Sequence, residues 1–182
     1  MRLFVAALLS KEVSSALHDV MDQLAHQSVS IRLTPPENLH LTMAFLGETD
    51  DPQRAVRALE SLDADSFRLE LHGAGRFGDL WWAGIVPDPA LMTCAQKLYQ
   101  VLREEGFFLE SRKFQPHITL ARKVKTLRPP QIRVRGASMT VRALSLMKSD
   151  LTGPRPVYSE IFRKKLGSAA KPVLPDYRND RT

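Results

Sequence analysis

Two spacings of apolar residues alternate along this chain. Residues 2 to 9 (RLFVAALL) carry a continuous apolar run from Leu3 to Leu9, bounded by Ser10, Lys11 and Glu12, which predicts a buried strand. Lys11 to Gln27 then places Val13, Leu17, Val20, Met21 and Leu24 on one side, the pattern of an amphipathic helix with His18 and His26 on its solvated side. Thr34 to Asn38 contains two adjacent prolines and predicts a rigid turn. Leu39 to Leu46 follows as a strand ended by Gly47.

Asp51 and Pro52 open a short helix with Val56, Leu59 and Leu62 on one face. Phe67 to Leu71 and Leu80 to Val86 read as strands flanking a glycine-rich turn, with His72 a turn residue beside Gly73. Pro89 to Glu105 is a helix carrying Leu91, Leu98, Val101 and Leu102, and Gly106 ends it. A strand at Phe114 to Arg122, a basic loop to Pro130, a long strand at Ile132 to Met147 and a last strand at Val157 to Leu166 complete the series. Strands interleaved with two or three helices predict an α+β architecture of largely antiparallel sheets covered by helices. Residues 167 to 182 lack periodicity and read as a mobile tail.

Composition narrows the class. With 182 residues and 43% apolar content a single core can form without a staple. Cys94 is the only cysteine, which excludes an intrachain disulfide and thiolate zinc clusters and fits a reducing cytoplasm. No run approaches the roughly 20 apolar residues of a membrane helix. Nothing resembles a coiled coil, so a monomer without an obligatory protein partner is the expectation. The net charge of +6 is unevenly spread: residues 1 to 110 hold 9 Lys/Arg against 16 Asp/Glu, and residues 111 to 165 hold 14 against 2. Such a basic block attracts polyanions, phosphates and nucleic acid above all.

One internal echo carries the chemistry: Asn38-Leu39-His40-Leu41-Thr42-Met43 and Gln115-Pro116-His117-Ile118-Thr119-Leu120. On a strand, His40 and Thr42 share one face and Leu41 and Met43 the other; His117 and Thr119 stand likewise against Ile118 and Leu120. If both strands face one cleft, two imidazoles that titrate near neutrality meet two hydroxyl donors. Metal binding fits poorly, because hydroxyls are weak ligands and no carboxylate stands at ligand spacing. Paired acid and base catalysis on a phosphodiester fits well, one imidazole taking a proton from the nucleophile and the other giving one to the departing oxygen. The threonines would donate hydrogen bonds to phosphoryl oxygens. The near symmetry of the segments leaves open which histidine does which.

The stretches PENLHLTMAFLGE (36 to 48) and FQPHITLAR (114 to 122) closely resemble the two signature segments of the two-histidine (LigT-like) phosphoesterases. The nearest branch is the bacterial RNA 2′,3′-cyclic phosphodiesterases, once described as 2′-5′ RNA ligases. RLFVAALL, FGDLWWAG (77 to 84) and LMKSDLTGPRPVYSEI (146 to 161) also resemble family segments, so the likeness covers roughly residues 1 to 166. It implies one bilobal domain over 1 to 166, with two similar β-sheet lobes around a central cleft. It also implies hydrolysis of an RNA 2′,3′-cyclic phosphate to a 2′-phosphate without metal or other cofactor. His40 would be the proton donor, His117 the proton acceptor, and Thr42 and Thr119 the phosphate holders.

Arg122 matches the family's LAR ending and could pair its guanidinium with phosphate oxygens. Its offset of five from His117 places it on the opposite face, so it reaches the cleft only if the strand ends or twists there. Leu33 stands where related proteins often carry an aromatic residue, a departure that bears on base stacking. Trp81 and Trp82 occupy an apolar strand where core packing is the expectation. Two other functions compete: 2′-5′ ligation by the reverse chemistry in the same site, and an RNA-binding module built on Arg112, Lys113, Arg122, Lys123, Lys125 and Arg128 without catalysis.

Overall fold

The computed structural model describes residues 1–111 and 113–168, so Arg112 and residues 169–182 lie outside the described residues. The described chain runs β1 (Arg2–Leu8), α1 (Lys11–His26), β2 (Ser30–Leu33), a 3₁₀ turn (Pro36–Asn38), β3 (His40–Glu48), α2 (Pro52–Ser61), β4 (Phe67–Phe77), β5 (Leu80–Ile85), α3 (Pro89–Glu104), β6 (His117–Lys125), β7 (Ser138–Val141), β8 (Ala143–Asp150) and β9 (Val157–Lys165). One sheet has the order β3-β1-β8-β9 and the other β2-β6-β5-β4-β7. Neighbouring strands are antiparallel throughout. This is the α+β fold of two antiparallel lobes that the pattern and the resemblance imply.

Local chemistry starts each helix. The Ser10 hydroxyl accepts from the Val13 N–H, the Asp51 carboxylate from Gln53, and the Asp88 carboxylate from Ala90 and Leu91, with proline in the first turn of α2 and α3. The buried stripes then meet the sheets: Leu17 of α1, Leu59 of α2 and Leu98 of α3 join Leu41 and Leu146 from one sheet and Leu69, Ile118 and Leu120 from the other in one continuous core. β1 is buried on both faces. Leu3, Val5 and Ala7 face that core, and Phe4 and Ala6 pack with Met147 and Tyr158 on the other side. Cys94 lies in the core, where burial pushes its thiol up to about 12 and leaves it inert near neutrality. Among the described residues no helix is long and apolar enough to cross a membrane.

Four expectations change. The glycine-rich stretch is not a turn: β4 continues to Phe77 with exposed His72 inside it. Gly75 is there for space, since a Cβ would come within 2.4 Å of the Trp82 ring. The long strand expected at 132 to 147 begins only at Ser138 and then divides at Arg142 between the two sheets, β7 beside β4 and β8 beside β1. Residues 131 to 133 look like strand because the side chains of Gln27 and Gln23 serve as their ladder: each amide bonds the N–H and C=O of Gln131 and of Arg133, at 2.8–3.0 Å. His18 is half-buried rather than solvated, while His26 is exposed as expected. Gly167 belongs to the ordered fold, its N–H bonding Ala64 O and its C=O accepting from Ser66 N–H. The rest of the expected tail, 169 to 182, falls outside the described residues.

Candidate active site

β3 and β6 each break strand alternation at the same offset. Along β1, Ala6 pairs with Thr42 and Val5 with Ala44, so Met43 is an extra residue. Along β5, Trp82 pairs with Thr119 and Trp81 with Ala121, so Leu120 is extra. Each is a β-bulge three residues after a histidine, and it exchanges the faces of the residues that follow, up to the next register shift. His40, Thr42 and Phe45 therefore share a face, as do His117, Thr119 and Arg122. The bulge is the twist that Arg122 needs in order to reach the cleft, and Ala121 turns into the core beside Leu24 and Val124. Thr34, just past β2, stitches this point in place: its N–H bonds Leu120 O at 2.8 Å and its hydroxyl bonds Thr119 O at 3.0 Å.

A second device fixes the imidazoles. His40 Nδ1 lies 2.7 Å from Asn38 O and His117 Nδ1 lies 2.7 Å from Gln115 O. A carbonyl oxygen only accepts, so each Nδ1 carries the proton and each Nε2 is left for chemistry. At His40, Nε2 is 3.0 Å from Thr42 Oγ1, whose hydroxyl donates to the neutral ring. Phe4 and Tyr158 shield this imidazole, with ring centroids at 4.9 and 5.6 Å. Burial lowers the His40 pKa from the ordinary 6.5, against the opposing pull of the Asn38 carbonyl. His117 is half-buried and packs edge-on to Phe77 at 5.8 Å, beside Trp82 at 6.2 Å.

A cavity of about 360 Å³ opens between the sheets, and His40, Thr42, Thr119 and Arg122 all line it. His117 is not part of that wall; it stands two residues before Thr119 on the same face of β6. Arg2 and Arg32 join Arg122, and among the described residues no carboxylate lines the cavity. None of the three guanidinium groups has a carboxylate partner among the described residues, whereas Arg57, Arg68, Arg135 and Arg163, away from the cavity, do. Such a wall favours an anion, and a phosphate suits its planar donors. Leu33 also lines it, 37% exposed.

Several site residues were not singled out from the sequence. Arg32 reaches the cavity because β2 pairs it directly with Arg122. Asn38 is buried; its backbone carbonyl anchors His40 while its side-chain amide donates to Pro156 O at 2.9 Å, tying the β8–β9 loop to the first motif. Its place two residues before the histidine was a usable signal, and Gln115 occupies the matching place. Trp82 departs from the expected core role: it lies opposite Thr119 against Phe77 and His117, while Trp81 packs in the core as expected.

The chain is similar to several known proteins. A relative from Aeropyrum pernix named RNA 2',3'-cyclic phosphodiesterase is 30% identical over 167 residues, which is 82% of this chain and 94% of the relative. One of the same name from Escherichia coli is 31% identical over 163 residues, 80% of this chain and 91% of the relative. The crystal structure of E. coli LigT complexed with 3'-AMP superposes with a TM-score of 0.79 at 27% identity, covering 91% of this chain and 97% of that one. The family profile itself matches residues 12–153. Spanning both motifs, that match shows that the chain belongs to the 2'-5' RNA ligase superfamily.

Proposed function

We propose that this cleft hydrolyses the 2′,3′-cyclic phosphate at an RNA end to a 2′-phosphate, using side chains alone. The observation that carries the reading is the repeated device on β3 and β6: a histidine tethered through Nδ1 to the carbonyl two residues upstream, with a threonine on its face, beside a wall of arginines without carboxylate partners among the described residues. Relatives bearing the name of that activity cover most of the chain, and this supports the same substrate class.

In the reaction, water attacks phosphorus while His117 Nε2 takes its proton. The P–O3′ bond breaks, and His40 Nε2–H protonates O3′, leaving a 3′-hydroxyl and a 2′-phosphate. Each imidazole contributes on the order of 10²–10⁴-fold. Thr42 and Thr119 donate to the non-bridging oxygens, and Arg122 pairs with their developing charge. The shielding of His40 suits the acid role. A ring drawn below its ordinary range releases its proton readily, and the anionic phosphodiester beside Nε2 favours the charged ring when substrate is bound.

The test is hydrolysis of an oligoribonucleotide bearing a 2′,3′-cyclic phosphate in EDTA, with the product phosphate located at O2′ or O3′ and His117→Ala as control. Turnover to the 2′-phosphate that survives chelation and is lost in the variant supports the reading. Turnover abolished by chelation, or unchanged in the variant, overturns it.

A further inference from the structure

A second, larger groove adjoins the catalytic cavity at the Pro35–Pro36 turn. Its volume is about 830 Å³, against about 360 Å³ for the catalytic cavity, and the two share Arg32, Leu33, Thr34, Pro35 and Pro156 as a common wall. Arg155 lines only the second groove, and His18, Met21 and Asp22 of α1 close its far side. Resting on the cyclic-phosphate reading above, we propose that this groove seats the nucleotide immediately upstream of the cyclic phosphate, so that the preferred substrate is an oligonucleotide end and not a mononucleotide.

Four observations point to that occupant. An RNA end bearing a cyclic phosphate continues through its 5′ phosphodiester and needs a surface next to the cleft to run over; this groove borders the cavity along five shared residues. The shared wall carries Arg32, and Arg155, next to Pro156 of that wall, lines only the groove, neither with a carboxylate partner among the described residues. A phosphodiester crossing from cavity to groove meets the first, and the next one along meets the second. Between them Leu33, Pro35 and Pro36 offer apolar surface to a base. Groove polarity is mixed, as a nucleotide site requires: the Asp22 carboxylate accepts from base amino groups, and His18 Nε2 is buried with no hydrogen-bond partner among the described residues. A base edge against this wall supplies that partner once the ring turns toward it.

The experiment compares kcat/KM for adenosine 2′,3′-cyclic phosphate and for a trinucleotide ending in the same group, in the native protein, Arg155→Ala and Arg155→Lys. The native protein is expected to favour the trinucleotide by roughly tenfold or more, the scale of one charge-assisted hydrogen bond. Arg155→Ala is expected to lose most of that preference while its mononucleotide rate stays native, and Arg155→Lys to keep part of it. The trinucleotide's log KM against log salt should be steeper by about 0.7 per added phosphate contact. Equal kcat/KM for the two substrates, or a preference unmoved by Arg155→Ala, overturns the groove while leaving the cyclic-phosphate reading standing. Failure of the native protein to hydrolyse either substrate overturns that reading, and this inference with it.

Discussion

β3 and β6 share one backbone and differ in what stands at its end. Each carries a tethered histidine, a threonine two residues on and a bulge at the third, yet the fifth position is Phe45 in one lobe and Arg122 in the other. Phe45 is 66% exposed at the cavity wall beside Phe4, with ring centroids 6.3 Å apart, so the β3 lobe presents apolar ring faces there. The β6 lobe presents a guanidinium at the same offset, paired across strands with Arg32. The histidines differ similarly: Phe4 and Tyr158 cover His40, whereas His117 stands outside the cavity wall. A duplicated strand geometry thus tethers two imidazoles in the same way, while the surroundings of the two rings differ.

The sharpest way to break the comparison is to remove the parts it calls equivalent. His40→Ala and His117→Ala should each lower kcat by roughly 10²–10⁴-fold in a cyclic-phosphate hydrolysis assay. A variant retaining native kcat would show that its lobe contributes no proton transfer. The fifth position should separate the lobes. Arg122→Ala removes a charge-assisted hydrogen bond of roughly 1.5–3 kcal/mol and should lower kcat/KM by about 10–10²-fold. Phe45→Ala removes exposed ring surface and should act mainly on KM, by several-fold. Equal losses in kcat for the two variants would erase the distinction drawn here.

Periodicity made the elements that bury a stripe legible: α1, α2, α3, β1 and the two motif strands all follow from it. The His and Thr pairs were legible because alternation puts them on one face. Arg122 was legible as a candidate from its match to the LAR ending, but its face was not, because nothing in that ending announces a bulge. In retrospect the apolar pairs Met43-Ala44 and Leu120-Ala121 mark the points where two consecutive buried residues break alternation. Arg32 escaped notice because SIRL is four residues long and mostly exposed, and its importance comes from a cross-strand partner 90 positions away. The stretch from Ile132 looked like strand because a strand-like ladder does form there, against glutamine side chains that no periodicity reveals. Gly75 suggested a turn, whereas its reason is the Trp82 ring lying across it.

Asn38 offers a finer comparison with Gln115, since both lend a backbone carbonyl to a histidine but only Asn38 also binds the β8–β9 loop. Asn38→Ala keeps the carbonyl and loses the amide that holds Pro156, a hydrogen bond worth roughly 0.5–1.5 kcal/mol. We expect a two- to tenfold loss in kcat/KM with loosened protection of residues 151–156 in hydrogen exchange. Gln115→Ala, whose side chain has no such partner among the described residues, should change neither. Loss of activity without loosening would mean that the amide acts through something other than the loop.

The smallest effect tests the shielding of His40. Because burial beneath Phe4 and Tyr158 disfavours the charged ring, the folded His40 titrates below the unfolded value of 6.5. Between those two values the unfolded chain binds more protons, so this residue's contribution to stability falls as pH drops through 6.5 and levels off below the folded pKa. NMR titration of the imidazole carbons should place His40 below 6.5 in the native protein. Phe4→Ala, which admits water to the ring, should raise it by a fraction of a unit. Since kcat/KM reports the free protein, its fall at high pH would follow the charged form of His40, so the same variant should carry that limb upward with the NMR value. If the NMR value rises and the limb stays in place, His40 is not the acid, and the two lobes exchange roles with their geometry intact.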